Sequence, residues 1–473
     1  MKKTLIRVYK LGFNISPEHF IPYLNFIERK LIAWYGRSLV ELNYIQVNSY
    51  QAIKAKIKIE DKYYVILILK ADLNPELKIE YPAEISIEKV LDILINLQYF
   101  TYQFTLNIEE GTLNLVFIPG LPVTPIRKMT IAKKILSQIF TGNLLILYMI
   151  FLLIGLTLFA FLGKYAPIGI VLFQFVLLLS APKILKFMSD WHISASNGVM
   201  YIAICKMSLK DFNFLISKKW KDISNIKSQI SKLSFESGEI ITPEIVSNVM
   251  TKWGINCPPN KISIKVVPIY RIIEDVARAY NIEIPRTVIA NTLIPNAAIT
   301  GPSIKNSILL VTSGLALTLD SNEIKAVIGH EFSHAVNKDP LILFIFSSIE
   351  YLTRVYILWM LKWPLDLIYF IFSITALFFT AKFLEARADL ESAYRLKHNR
   401  ELSNALIKIG FHRIFYERFK SYRFQRWIGW DPHPPLYFRV LRLEKLDLNW
   451  KPKSLLLHSA KDCISNFIST IIT

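Results

Sequence analysis

Val327-Ile328-Gly329-His330-Glu331-Phe332-Ser333-His334 carries the pattern HExxH inside a run that reads as helix from about Asn322 onward. Histidines four residues apart fall on one helical face, so both imidazoles can point at a single ion. Glu331 lies beside His330, where its carboxylate can take the proton of a water activated by that ion. The chemistry this spacing suggests is that of a zinc hydrolase. With 8 His in 473 residues, a chance HExxH has a probability on the order of 1 in 100, so a third ligand is needed to decide. Downstream, Phe383-Leu384-Glu385-Ala386-Arg387-Ala388-Asp389 places two acidic side chains one helical turn apart. Glu385 can complete a His2Glu set and leave the fourth zinc position to water. Asp389 can accept a hydrogen bond from the far nitrogen of a ligand histidine and fix its tautomer. The expected cofactor is one Zn2+ per chain, bound by His330, His334 and Glu385.

Five blocks in order resemble a known family: Ile294 to Gly301, Asn306 to Leu315, His330 to His334 with Asn337-Lys338-Asp339, Glu385 to Asp389, and His433-Pro434-Pro435 followed by Arg439. Together they look like the HtpX group of membrane zinc metalloproteases, which share gluzincin logic with the CAAX prenyl proteases. The similarity runs from about Pro268 to Leu446. It implies that Asn296, Ala297, Ala298, Ile299 and Thr300 form an edge strand that pairs with substrate backbone, a mode of recognition that needs no particular sequence. Without it, a turn capped by Asn296 would read as well. It also implies that His433 approaches the zinc and stabilises the oxyanion of the tetrahedral intermediate, with Arg439 supporting that region. A quality-control role, cutting damaged or misassembled membrane proteins, follows from the family and from nothing in the spacing.

Composition agrees with a membrane protein. The chain is 52% hydrophobic with mean hydropathy +0.34, too apolar for an ordinary soluble protein. Cys205, Cys257 and Cys463 are far apart and odd in number, which excludes a disulfide framework or a Cys-type metal site. The net charge of +19 comes with no nucleic-acid motif, so no nucleic-acid partner is expected. Basic residues flanking membrane segments and facing anionic lipid explain it. The first ten residues carry charge without the apolar stretch of a cleavable signal.

Residues 1–140 read as a soluble α+β domain of open role. A helical pattern runs from Pro17 to Tyr35, with alternating runs at Glu41–Val47, Ala52–Ile59 and Lys62–Leu69, a helix near Ile87–Leu97, and strands near Tyr102–Ile108 and Thr112–Ile118. Residues 141–186 form a transmembrane hairpin: Leu144–Leu162 and Tyr165–Pro182 carry no charge and are separated by Gly163-Lys164. Arg127, Lys128, Lys133 and Lys134 precede it and Lys183 and Lys186 follow, against Lys164 alone in the turn. The N-terminal and catalytic domains are therefore expected to face the cytoplasm. Residues 187–267 read as a helical, basic linker.

The protease domain spans 268–473 and includes a second membrane hairpin at about 340–384, from Pro340–Leu361 and Trp363–Leu384. The clean core of the latter is short, Leu367 to Ala381, so an interfacial or re-entrant hairpin is the competing reading. Since His330, His334 and Glu385 must meet, the chain crosses there twice or not at all. The fold class expected is a mainly α, polytopic membrane protein, with a gluzincin-type zinc metalloprotease core, a small β edge sheet and an N-terminal α+β domain. Its substrates are expected to be membrane proteins or segments close to the lipid bilayer. Oligomeric state is not legible. Two other functions fit: a CAAX prenyl protease, which normally has more spans than the four candidates here, and a catalytically idle membrane scaffold, which the presence of Glu331 disfavours.

Overall fold

The computed structural model describes residues 4–59, 63–106, 108, 110–123, 144–360, 363–449 and 452–472. Its N-terminal sheet is antiparallel in the order β1-β5-β4-β3-β2, built from Thr4–Lys10 (β1), Leu39–Val47 (β2), Tyr50–Ile59 (β3), Tyr63–Lys70 (β4) and Glu76–Pro82 (β5). Ile53, Ala55, Val65, Leu67, Leu77 and Ile79 alternate onto one face. That face is buried with Tyr23, Leu24 and Ile27 of helix α1 (Phe20–Tyr35) and Leu91, Leu94 and Phe100 of α2 (Ile87–Leu106). The strand expected at Tyr102–Ile108 is not formed. Helix α2 continues through Leu106, because Phe100, Thr101 and Phe104 are needed on its buried side, where Tyr23 Oη meets Thr101 Oγ1 at 2.9 Å.

The next strand, Glu110–Phe117 (β6), leaves that sheet. It pairs antiparallel with Met200–Ser208 (β8), which pairs with Ile262–Val267 (β9). Residues 187–267 are accordingly not a helical linker. They supply these two strands, Trp191–Ile193 (β7), and helices α5 (Ile223–Leu233) and α6 (Pro243–Lys252) packed on the β6-β8-β9 sheet. The apolar alternation of Met200-Ile202-Ile204 was there to be read, with its even positions turned to the larger core.

Between β6 and β7 lie helices α3 (Leu144–Leu162) and α4 (Ala166–Met188), folded back on each other at Gly163, whose φ of +51° suits glycine. Phe151 meets Phe173 edge-on across the pair. The basic flank Arg127 to Lys134 lies outside the described residues. Two helical runs among those described are long and apolar enough to cross a membrane, Phe151–Phe187, which contains the fold-back, and Leu365–Leu396.

A four-stranded sheet, β11-β12-β10-β7, carries the remaining core. Arg286–Ala290 (β10) runs parallel to Ile308–Thr312 (β12), and Ala297–Thr300 (β11) is the antiparallel edge. Helix α7 (Ile269–Tyr280) and the motif helix α8 (Ser321–Asn337) pack on its inner face through Ile272, Val276, Ile324, Ile328 and Phe332. Asp320 caps α8: its carboxylate accepts from Asn322 N and Glu323 N, and Glu323 returns a bond to Asp320 N. Helix α9 (Asp339–Tyr356) follows. Its Glu350–Arg354 pair closes at 3.4 Å, as the i,i+4 spacing suggested. The long α10 (Leu365–Leu396) then returns alongside α8. Shorter helices α11 (Asn399–Ile409), α12 (Phe411–Glu417), α13 (Lys420–Ile428) and α14 (Leu436–Lys445) follow, and α15 (Leu455–Ile472) lies along α10.

Candidate metal centre

Because α8 is capped and regular, His330 and His334 project from one face, with their Nε2 atoms 3.1 Å apart. Helix α10 brings Glu385 between them, with Oε2 3.4 Å from His330 Nε2 and Oε1 3.2 Å from His334 Nε2. The three ligand atoms lie within 4.8 Å of one another. One turn along α10, Asp389 Oδ1 stands 2.9 Å from His330 Nδ1. His334 Nδ1 has its own carboxylate, Asp339 Oδ2, at 2.6 Å. A carboxylate can only accept, so His334 donates from Nδ1 to Asp339, and Asp389 stands where it can take the Nδ1–H of His330. In those neutral forms both Nε2 lone pairs point at each other and at Glu385. Such an arrangement is comfortable only around a cation. Oε2 of Glu385 is buried and accepts no hydrogen bond among the described residues, and two imidazoles with one carboxylate make a donor set that suits zinc.

The electrostatics agree. Burial opposes charge on His330 and His334, but the neighbouring carboxylates of Asp389, Asp339 and Glu385 outweigh it and raise both imidazoles, His334 to about 10. Burial likewise opposes the charge on Glu385, yet the two histidines hold it well below the usual carboxylate range. The pocket is built to hold positive charge. Behind it, Arg439 on α14 grips Asp389 with two bonds, Nε to Oδ2 at 2.8 Å and Nη2 to Oδ1 at 2.7 Å, and reaches Glu385 Oε2 at 3.5 Å. Arg387 does the same office for Asp339, from Nη2 at 2.7 Å.

Glu331 sits at the mouth of this pocket. Burial raises its carboxyl, with Glu385 adding to the rise and the two histidines opposing it. Its Oε2 accepts from the backbone N–H of Ile299 at 3.2 Å. That bond fixes the orientation of β11: Ile299 turns its backbone away from β12, and by alternation so does Ala297. Ala298 and Thr300 face β12, and Asn296 is engaged with Thr312 through three bonds, so it lies outside the open edge. His433 is nearly half exposed, with Nδ1 3.0 Å from Asp431 Oδ1 and Nε2 3.8 Å from Glu385 Oε1.

Of the residues singled out from the sequence, His330, Glu331, His334, Glu385, Asp389, His433 and Arg439 gather at one end of α8, joined by the backbone of Ile299. Ala297, Ala298 and Thr300 lie on the same short strand as Ile299, and Asn296 just before it is bonded to Thr312. Reasoning from the sequence missed Asp339, Arg387 and the group in which Glu391 accepts from Ser333 Oγ and Asn337 Nδ2, each at 2.7 Å. The block Asn337-Lys338-Asp339 carries part of the family resemblance, but Asp339 stands past the end of the helix, where no spacing signals its return to His334.

Residues 267–447, which hold every one of these groups, match the sequence model of Peptidase family M48. The domain built around the centre is therefore similar to the peptidase domains of that family, and within it to the HtpX proteins. A Protease HtpX homolog of Pyrococcus furiosus is 43% identical over 74 residues, 16% of this chain and 26% of that protein. One from Methanocaldococcus jannaschii is 32% identical over 162 residues, 30% of this chain and 57% of its own length, and one from Moorella thermoacetica is 26% identical over 184 residues, 34% and 61%. The chain therefore spans less than two thirds of the length of each of these relatives. Among solved structures, the crystal structure of S. mikatae Ste24p aligns over 76% of this chain and 73% of that one, at 14% identity and a TM-score of 0.35, too distant a likeness to say more about the fold.

Proposed function

We propose that the chain is a polytopic, membrane-bound zinc endopeptidase that cuts membrane or membrane-proximal proteins. One observation carries the reading: two imidazole lone pairs and a carboxylate converge beside a second carboxylate that is tied to an open strand edge. In this reading His330, His334 and Glu385 hold the zinc, while Asp389 and Asp339 keep the rings in the Nδ1–H tautomer. When bound, the ion supplies Lewis acidity, which lowers the pKa of water and polarises the scissile carbonyl. Glu331 takes the proton of the attacking water and hands it to the leaving amine, a role its raised pKa suits. The backbone of Ala297 and the carbonyl of Ile299, whose N–H is held by Glu331, offer the substrate outward groups. Asp431 orients the ring of His433 so that Nε2 faces the pocket, where the oxyanion develops.

Helices α3 and α4 form one membrane hairpin in this proposal, and α9 with the apolar first half of α10 a second. Lys183 and Lys186 in the last turns of α4, against Lys164 in the turn between the two helices, favour the cytoplasm for the catalytic side. The family resemblance supports damaged or misassembled membrane proteins as substrates. The test is zinc content and proteolysis of a loosely folded membrane protein by detergent-purified chain. Glu331→Gln is expected to keep one zinc and lose cleavage by about 10²-fold or more, and Glu385→Ala to lose zinc. If both variants cut as fast as the unaltered chain, the site is elsewhere.

A further inference from the structure

A cavity of about 320 Å³ opens where α4 ends against the sheet of the metal centre, lined by Leu179, Pro182, Lys183, Lys186, Arg286 and Asn306 among others. We infer that it binds the phosphodiester headgroup of one anionic phospholipid, held by Lys183, Lys186 and Arg286. The inference rests on the reading of α3 and α4 as a membrane hairpin and is independent of the peptidase chemistry.

Three observations converge on it. First, the charge is uncompensated: no acidic side chain lines the cavity, and no ion pair is formed by any of the three cations among the described residues. A second lysine-rich cavity, between the N-terminal sheet and α8, differs in this respect. There Lys408 is paired with Glu323, Lys10 lies 3.7 Å from Asp320, and Lys265 Nζ is spent on the carbonyls of Leu317 and Leu319. Its cations already have partners; those beside α4 await one.

Second, the lining changes character along one helical face. Leu179, Lys183 and Lys186 are spaced i, i+4, i+7 and so share a side of α4. Leu179 is 42% exposed at the apolar end, and Lys186 stands about 10 Å further along the axis. An acyl chain and a headgroup separate over a similar depth at the edge of a bilayer. A free phosphate would use the upper half of the cavity and leave Leu179 and Pro182 without a partner, so the pairing of cations with an apolar wall favours the lipid.

Third, the cations come from two elements. Arg286 opens β10, in register with Ile308 of β12, whose other neighbour is Thr300 of the edge strand β11. A headgroup between Arg286 and the two lysines would bridge α4 to the end of that sheet and set the height of the edge strand above the membrane.

The test uses the full chain in a neutral detergent, offered phosphatidylglycerol and phosphatidylcholine at equal concentration, with retained lipid read by native mass spectrometry. Each cation near an anionic headgroup is worth roughly fivefold in affinity. One phosphatidylglycerol per chain, preferred at least about tenfold, is expected, with the preference gone in K183Q/K186Q/R286Q. Arg286→Gln alone, outside the membrane helix, should lower it about fivefold with zinc content and melting temperature unchanged. Equal retention of the two lipids, or an undiminished preference in the triple variant, overturns the inference. Displacement of the lipid by an equal concentration of glycerol 3-phosphate also overturns it, since the cations would then suffice without the apolar wall. Detergent phase separation distinguishes the two readings. A chain left in the aqueous phase sinks the membrane hairpin itself, whereas one that enters the detergent phase without lipid preference sinks only the headgroup site.

Discussion

Each imidazole of the metal centre is aimed by one buried carboxylate, and each carboxylate is gripped by one arginine. The two halves are alike in function but not in how readable they are. Asp389 follows Glu385 by four on a continuous helix, so spacing alone puts both on the side of the histidines. Asp339 lies beyond Lys338, whose φ of +56° ends α8; no period carries across such a break, and only the folded turn returns its side chain to His334. If both act as argued, Asp339→Ala and Asp389→Ala should each weaken zinc binding by about 10- to 100-fold, measured by competition with a chromophoric chelator. Asp339→Asn keeps an oxygen acceptor for Nδ1–H and should lose less than Asp339→Ala. Equal affinity in all of these variants would show that the rings are held by packing alone.

At the scale of elements, the centre depends on how closely α8 and α10 approach. Gly329 sits on α8 at the contact, and a methyl group there would fall on the Leu396 side chain and within 2.7 Å of Ser392 Oγ. Ser392 already bonds Ala326 O at 2.8 Å, and Tyr280 Oη donates to Gly329 O at 2.7 Å, so neither neighbour can step aside freely. Gly329→Ala is therefore expected to cost about 1–3 kcal/mol, read as a lower melting temperature, and to weaken zinc binding by moving Glu385 away from the histidines. An unchanged zinc affinity would mean that the helices reseat without spreading. The motif helix was legible from about Asn322 onward, with its two histidines spaced onto one face. Tyr102 to Phe104 reads as strand in the sequence because aromatic and β-branched residues are enriched in strands. What decides it is tertiary: Phe100 and Thr101 are buried against α1, and Tyr102 meets Phe411 of α12. Likewise β6 looked local to the N-terminal domain, and its partners lie about ninety residues away in the sequence.

Across the whole molecule, the N-terminal sheet is not a separate appendage. Its core is continuous with Ile407, Ile414, Leu436, Tyr437 and Val440 of α11, α12 and α14, and Tyr99 stacks on Phe415 at 4.4 Å. Arg7 on β1 reaches Glu444 of α14 at 3.2 Å, and Glu444, 1% exposed in its side chain, also accepts from Ser403 Oγ. No pattern in the sequence links positions 7 and 444. Arg7→Ala would strand that carboxylate and is expected to destabilise the chain by about 3–5 kcal/mol, visible as a lower unfolding midpoint. An Arg7→Ala, Glu444→Leu double variant should recover part of the loss. No recovery would place the cost in the packing of the Arg7 stem instead. The edge strand carries a consequence of a different kind. If the strand holds substrate as proposed, Ala297 and Ile299 can pair only with a stretch of main chain that has given up its own hydrogen bonds, so a target would have to open before being cut. Where opening is fast, the observed rate is the intrinsic rate multiplied by the fraction of time the segment is open. Every 1.4 kcal/mol of local stability in the target then slows its destruction about tenfold, and the enzyme ranks its targets by their own folding equilibria.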